Sequence, residues 1–204
     1  ANYLETSPDF IAPELGADGS SNLGLGLGLH YNNIHNAMNP REGVFSEWAF
    51  LNYSDQFGSD FIFTTYISDN RYYTPVKENT VFAAQLYGQF TTGEAPFNML
   101  SLMGGESLMR GYYLGRYRDK NLVAGQVEYR ILPFAFSKRL GASIFLAAGQ
   151  VYGSDSSFDW NGFLPTGGAG LRYLIFPDKD IYTRIDLSYT REGSGVYFYI
   201  GEAF

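Results

Sequence analysis

The feature that most constrains this chain is a strict two-residue period. In Leu23-Gly24-Leu25-Gly26-Leu27-Gly28-Leu29-His30-Tyr31 every second residue is apolar and the residues between are mostly glycine. That spacing puts the leucines on one face of a strand and cannot make an apolar helix stripe. The same alternation returns downstream. Phe82, Ala84, Leu86 and Phe90 alternate with Gln85, Tyr87 and Gln89, and Val123, Val127, Tyr129 and Ile131 alternate with Gln126, Glu128 and Arg130. Leu171 and Tyr173 flank Arg172; Ile185, Leu187 and Tyr189 alternate with Arg184, Asp186 and Ser188. The chain therefore reads as all-β, with one apolar face and one face of charges and amides.

A soluble sandwich turns such an apolar face inward. A membrane barrel turns it toward lipid and lines its lumen with the polar face. Three features favour the barrel. Tyrosines crowd the strand ends (Tyr31, Tyr53, Tyr66, Tyr72, Tyr73, Tyr152, Tyr182), as interfacial girdles require. The chain ends Gly195-Val196-Tyr197-Phe198-Tyr199-Ile200-Gly201-Glu202-Ala203-Phe204, an alternating final strand closed by a terminal Phe. Segments of about ten or more residues are long enough to cross as tilted strands. No stretch reaches the ~18 apolar residues of a membrane helix. Candidate strands fall at 21–33, 44–54, 60–73, 80–92, 121–132, 139–152, 165–176, 181–190 and 195–204. Short turns on one side and longer connections at 54–59, 94–120, 153–163 and 191–194 on the other are the alternation of a barrel. Because bacterial single-chain barrels have even strand numbers, nine segments imply a small antiparallel barrel of eight strands. Ten is the alternative, if Glu5–Glu14 adds a strand despite Pro8 and Pro13. Residues 1–20 read as an N-terminal extension and 21–204 as the barrel domain.

The connection 94–120 stands out, because long structureless connections are usually functional or disordered. This one carries Phe97, Leu100, Leu102, Met103, Leu108, Met109, Tyr112, Tyr113, Leu114 and Tyr117, so it must pack on something. Arg110, between glycines and aromatics, would be carried with it into a poorly hydrated place and would need an acidic partner. Glu128, on the polar face of the next strand, is the candidate.

Met109-Arg110-Gly111-Tyr112 resembles the Val/Leu-Arg-Gly-Phe/Tyr motif of the Omp85 superfamily, which includes BamA, TamA and bacterial surface antigens. Gly104-Gly105 before it and Gly115–Asp119 after it resemble the approach and exit of that motif. Gln126–Arg130, Phe145–Tyr152, Gly168–Tyr173, Ile185-Asp186 and Ile200–Phe204 resemble the strands that follow, with Phe204 as the terminal strand signal. The resemblance implies that the loop folds from outside into the lumen, where Arg110 pairs with two carboxylates. Glu128 occupies the first position. Ala147 stands where the second is usually Asp, leaving Asp119 or Asp186 as further partners, with Arg130 and Arg172 also on the lumen side. A family barrel of about sixteen strands at about ten residues each does not fit 204 residues with its connections. The likeness therefore covers the C-terminal half only, without room for periplasmic POTRA domains.

The resemblance implies the bacterial outer membrane as location and outer-membrane lipids as surroundings. It further implies assistance to insertion of outer-membrane proteins or lipids in envelope biogenesis, with other outer-membrane proteins or a separate periplasmic protein as partners. The alternatives are a structural or adhesive small barrel and an oligomeric pore, including a homodimer whose two chains complete one barrel. The formal charge of −7 argues against nucleic acid. His30 and His35 lack acids at ligand spacing, so neither a metal nor another cofactor is expected. Asp55, Asp60, Asp69, Asp155 and Asp159 read as solvated loop carboxylates. Gly24-Leu25-Gly26-Leu27-Gly28 opens no helix and is not a dinucleotide fingerprint. Without a Ser/His/Asp arrangement, no enzyme is expected.

Overall fold

The structure is a computed structural model and describes residues 15–154 and 156–204. Glu5–Glu14 and Asp155 lie outside the described residues. Eleven strands form: β1 (Gly24–Asn32), β2 (Gly43–Tyr53), β3 (Phe63–Lys77), β4 (Thr80–Gly93), β5 (Ser101–Met103), β6 (Tyr117–Asp119), β7 (Asn121–Ile131), β8 (Leu140–Tyr152), β9 (Leu164–Phe176), β10 (Ile181–Thr190) and β11 (Gly193–Ile200). Nine of them make one sheet in the order β1-β2-β3-β4-β7-β8-β9-β10-β11. Each pairs antiparallel with its neighbour along the chain. β5 and β6 pair separately, as a ribbon at the base of the 94–120 connection.

Each of the nine candidate segments is thus a strand of the sheet, and among the described residues the even count of eight or ten is corrected to nine, and closure to an open sheet. The sheet is open between β1 and β11. Strands alternate up and down along the meander, so the first and ninth run the same way, from the end carrying the long loops to the end carrying the short turns. Antiparallel pairing, which joins every other pair of neighbours, cannot join these two.

The sheet curls around its polar face. Leu146, Leu171, Val196 and Phe198 point outward, each more than 60% exposed, while Arg110, Arg130, Arg172, Glu128 and Asp186 are buried. That is the inversion expected of a wall facing lipid. The interior has three layers. Near the loop end, Met103, Met109, Tyr112, Leu122, Ala124 and Ala147 pack together. Near the turn end, Tyr73 and Ala83 hold Ala203 and Phe204. Between them lies a cluster of charges.

The turn end is stitched across. The β1–β2 turn reaches the far side of the sheet, where Arg41 donates through Nε and Nη2 to Asp180 at 2.6 and 2.9 Å and through Nη1 to the Leu132 carbonyl at 2.9 Å. Residues 201–204 turn inward after β11. Glu202 N–H donates to the Met38 carbonyl at 2.8 Å, and Gly201 N–H to that of Tyr182 at 2.7 Å.

Candidate functional site: a buried arginine latch

The loop after β4 leaves by the β5–β6 ribbon and returns into the curl of the sheet. Two residues in the left-handed region make the return possible, Met109 at φ 58° and Gly111 at φ 110°. Gly111 is also a matter of space, because a Cβ there would meet Thr190, and Ser188 Oγ at 3.1 Å. Around this bend the backbone is tied to the wall. The Tyr197 hydroxyl accepts from Gly111 N–H at 2.8 Å, the Tyr112 hydroxyl donates to the Pro165 carbonyl at 2.9 Å, and Thr166 donates to the Arg110 carbonyl.

Arg110 has no solvent-exposed side-chain surface. Its Nη2 lies 2.5 Å from Glu128 Oε2 and its Nη1 2.6 Å from Asp186 Oδ2. The guanidinium carbon sits 3.5 Å from the centre of the Phe145 ring. Both carboxylates are shared. Arg172 donates to Glu128 at 2.9 Å, to Asp186 at 2.5 Å and to Glu202 at 3.0 Å. Arg130 lies 3.3 Å from Glu128 Oε1 and reaches the Phe204 carbonyl at 3.0 Å. Arg184 pairs with Asp186 and donates to the Glu106 carbonyl at 3.0 Å. Four guanidinium groups therefore share three side-chain carboxylates. Buried charges at this density persist only when each is paired and hydrogen-bonded. Close approach at β9 makes room for them, since a Cβ on Gly170 would strike Asp186, Arg172 and the Ile185 carbonyl.

A second arm, of amides ending on the Asp69 carboxylate, holds the loop from the other side. Gln126 Nε2 donates to the Ser107 carbonyl at 2.8 Å and to Gln85 Oε1 at 2.6 Å, and Gln85 donates to Asp69 at 2.8 Å. At the loop end the ribbon is fastened to the β10–β11 turn, where Tyr117 donates its hydroxyl to Glu192 and Arg116 lies 3.3 Å away. These contacts, the tyrosine bond foremost, hold the Glu192 carboxyl below the ordinary glutamate range. The same bond pushes the Tyr117 phenol up.

The structure thus brings together Arg110, Glu128, Asp186, Arg130 and Arg172. Asp186 supplies the second carboxylate, and Ala147 at the usual position packs in the apolar layer beside Met109. Asp119 as a lumen partner is corrected: its carboxylate accepts from the backbone of Lys120 and Ser154, both at 2.7 Å, and so belongs to the base of the loop. Phe204 is not the end of a strand, since β11 stops at Ile200 and Phe204 folds inward beneath Arg130. Sequence reasoning missed Glu202 and Arg184 in the cluster. Arg184 was readable on the polar face of its strand beside Asp186; Glu202 enters only because the chain turns at Gly201, φ 89°.

A model described as the Omp85 superfamily domain matches residues 2–175. The chain belongs to the Omp85 superfamily. Among solved structures, it is similar to BamA from Haemophilus ducreyi lacking POTRA domains 1–3, with a TM-score of 0.67 and 17% identity. The match covers 89% of this chain and 42% of the BamA chain, so this chain spans less than half the length of that relative. At that identity the likeness is one of fold. No curated protein matches the sequence. Membership of the Omp85 superfamily places the chain in the bacterial outer membrane.

Proposed function

We propose that this Omp85 chain forms a section of outer-membrane wall that assists insertion of other outer-membrane proteins or lipids. One observation supports the reading: a wall braced from inside over β7–β10 stands in a sheet whose two borders, β1 and β11, have no strand partner among the described residues. An unpaired edge is a template for another strand, and the latch keeps the long loop inside the curl. Glu128 and Asp186 are each held by several guanidiniums, so neither is free to act as a base, and the protein has no chemistry of its own in this reading.

The test is reconstitution in vesicles of outer-membrane-like lipid with an unfolded small barrel protein as client. The protein should speed client folding several-fold over empty vesicles. A variant with its two borders cross-linked should lose that gain; equal acceleration by the locked form would defeat the reading.

A second reading is an adhesive barrel, and it rests on the 153–163 loop. There Tyr152, Phe158, Trp160 and Phe163 form an aromatic cluster with Trp160 80% exposed. Replacing Phe158 and Trp160 by serine should abolish cell-surface binding on this reading while leaving client folding unchanged.

A further inference from the structure

The two ends of the wall differ in charge. At the loop end, the connections 54–62 and 153–163 carry Asp55, Asp60, Asp155 and Asp159 and no cation. At the turn end, the β7–β8 connection 132–139 carries Lys138 and Arg139 and no acid. Both cations are exposed, and neither is paired with a carboxylate among the described residues, whereas Arg41 on the β1–β2 turn is held by Asp180.

The β7–β8 turn holds its cations in a fixed frame. Ser137 Oγ accepts from the N–H groups of Arg139 and Leu140 at 3.3 and 3.0 Å, and Phe134 N–H donates to the Leu140 carbonyl at 2.8 Å. Leu174 N–H donates to the Arg139 carbonyl at 2.8 Å, which ties the turn to β9. The Arg139 guanidinium itself makes one long bond, 3.4 Å to the Leu174 carbonyl, and stands 6.0 Å from the centre of the Tyr173 ring. Most of its five N–H donors are left for another acceptor. Beside it, the rings of Phe134 and Phe136 stack with centres 5.0 Å apart, and Phe136 is 82% exposed. Phe176, at the end of the adjoining strand, is half exposed.

We infer that the β7–β8 turn binds the phosphate of an anionic phospholipid, with Lys138 and Arg139 on the phosphate and Phe136 in the acyl boundary beneath it. This rests on the membrane placement of the wall and not on client insertion. Aromatic rings beside cations suit the interface, where rings lie at headgroup level. A guanidinium fork matches phosphate oxygens. Charge decides the class of headgroup, since a zwitterionic lipid brings its own ammonium to compete for the phosphate. Short turns are the periplasmic side of such a wall, so the site belongs to that leaflet. A lipid held there fixes the depth of the β7–β10 section.

The full chain, purified in detergent, is mixed with equal amounts of phosphatidylglycerol and phosphatidylethanolamine of the same acyl chains, and retained lipid is read by native mass spectrometry. Phosphatidylglycerol should be retained several-fold over phosphatidylethanolamine. Lys138→Gln/Arg139→Gln should lower that retention by roughly five-fold per cation. Arg118→Gln/Arg191→Gln, which removes the same charge from exposed positions at the loop end, should leave it unchanged. Phe136→Ser should lower retention of both lipids. Equal retention of the two lipids by the unaltered protein would overturn the site, whatever the variants do. Equal losses in the two double variants would overturn it in favour of bulk charge. Displacement of the lipid by inorganic phosphate would point to a free anion, and preferential uptake of phosphorylated lipid A through Lys138 and Arg139 to the opposite leaflet; either would overturn the assignment. Any of these results in protein that resists alkaline extraction from vesicles leaves the membrane placement standing. Release by alkaline extraction would overturn both.

Discussion

The walls at β7–β10 and at β1–β2 use the same period-two pattern and reach opposite states. Around β7–β10 the inner face carries Arg130, Arg172, Arg184, Glu128 and Asp186, all buried and cross-bonded through Arg110. Along β1 the inner face is Gly26, Gly28 and His30, and every residue from Leu25 to Asn32 is exposed. Both outer faces are apolar and suit lipid equally well. What differs is what stands behind the wall. A lumen face rich in paired charge makes a section that cannot part without stranding ions, and a glycine face leaves the backbone ladder as the main tie.

Substitutions break or sharpen that contrast in a definite order. The largest effect is expected from Glu128→Gln. It takes the shared anion from three arginines and leaves four guanidiniums against two carboxylates, at the upper part of the about 3–5 kcal/mol that breaking a buried ion pair costs. Arg110→Ala should cost less, because it leaves three of each sign. Both should lower the temperature at which the folded band disappears on heated gels, and Arg110→Ala should also expose the 94–120 loop to protease. The double variant should fall short of the sum, since the two groups share one interaction. Equal single effects with full additivity would show that the cluster does not act as a unit.

Glycine substitutions come next and differ in sign between the two walls. Gly170→Ala forces a methyl into Asp186 and Arg172 and should cost roughly 1–3 kcal/mol, as overpacking does. Gly28→Ala has open space and should be neutral or stabilise by about 0.4–1 kcal/mol through the unfolded chain. Urea unfolding in detergent would report both. A loss at Gly28 matching that at Gly170 would remove the distinction between the walls.

The smallest effect is one of pH. The Glu192 carboxyl is held below its ordinary range by Tyr117 and Arg116. Its contribution is therefore present above the ordinary glutamate range and is lost as the pH falls through the lowered folded value. Acid should loosen the ribbon at the loop end, seen as faster proteolysis near 113–118, while Glu192→Gln should show no acid step there. The site is exposed, so the change should be slight.

Much of this was legible in the chain. Period-two alternation marks the segments that become β1, β4, β7, β9 and β10, and an apolar loop carrying Arg110 points to an interior it must enter. Glu128 was readable as its partner from strand polarity. Closure was not, because alternation marks strands one at a time and carries no information on whether the first meets the last. Asp119 misled because nearness along the chain suggested the lumen, whereas two backbone N–H groups at the loop base claim its carboxylate. Glu202 was hidden because no periodic pattern reports a chain that bends inward after its last strand.

Arg110 and Asp186 are 76 positions apart, and Arg172 and Glu128 are 44 apart. Contacts this distant in sequence form late and slowly, since the intervening chain must be ordered before they are gained. The latch cannot be set until β10 is in place, although its loop precedes all of β7–β11, the five strands it touches. During assembly the nascent wall thus passes through a stage in which the lumen arginines lack their full set of counterions. Docking of the loop into a finished sheet is then the expected last event, and a slow step that disappears in Arg110→Ala would be its kinetic signature.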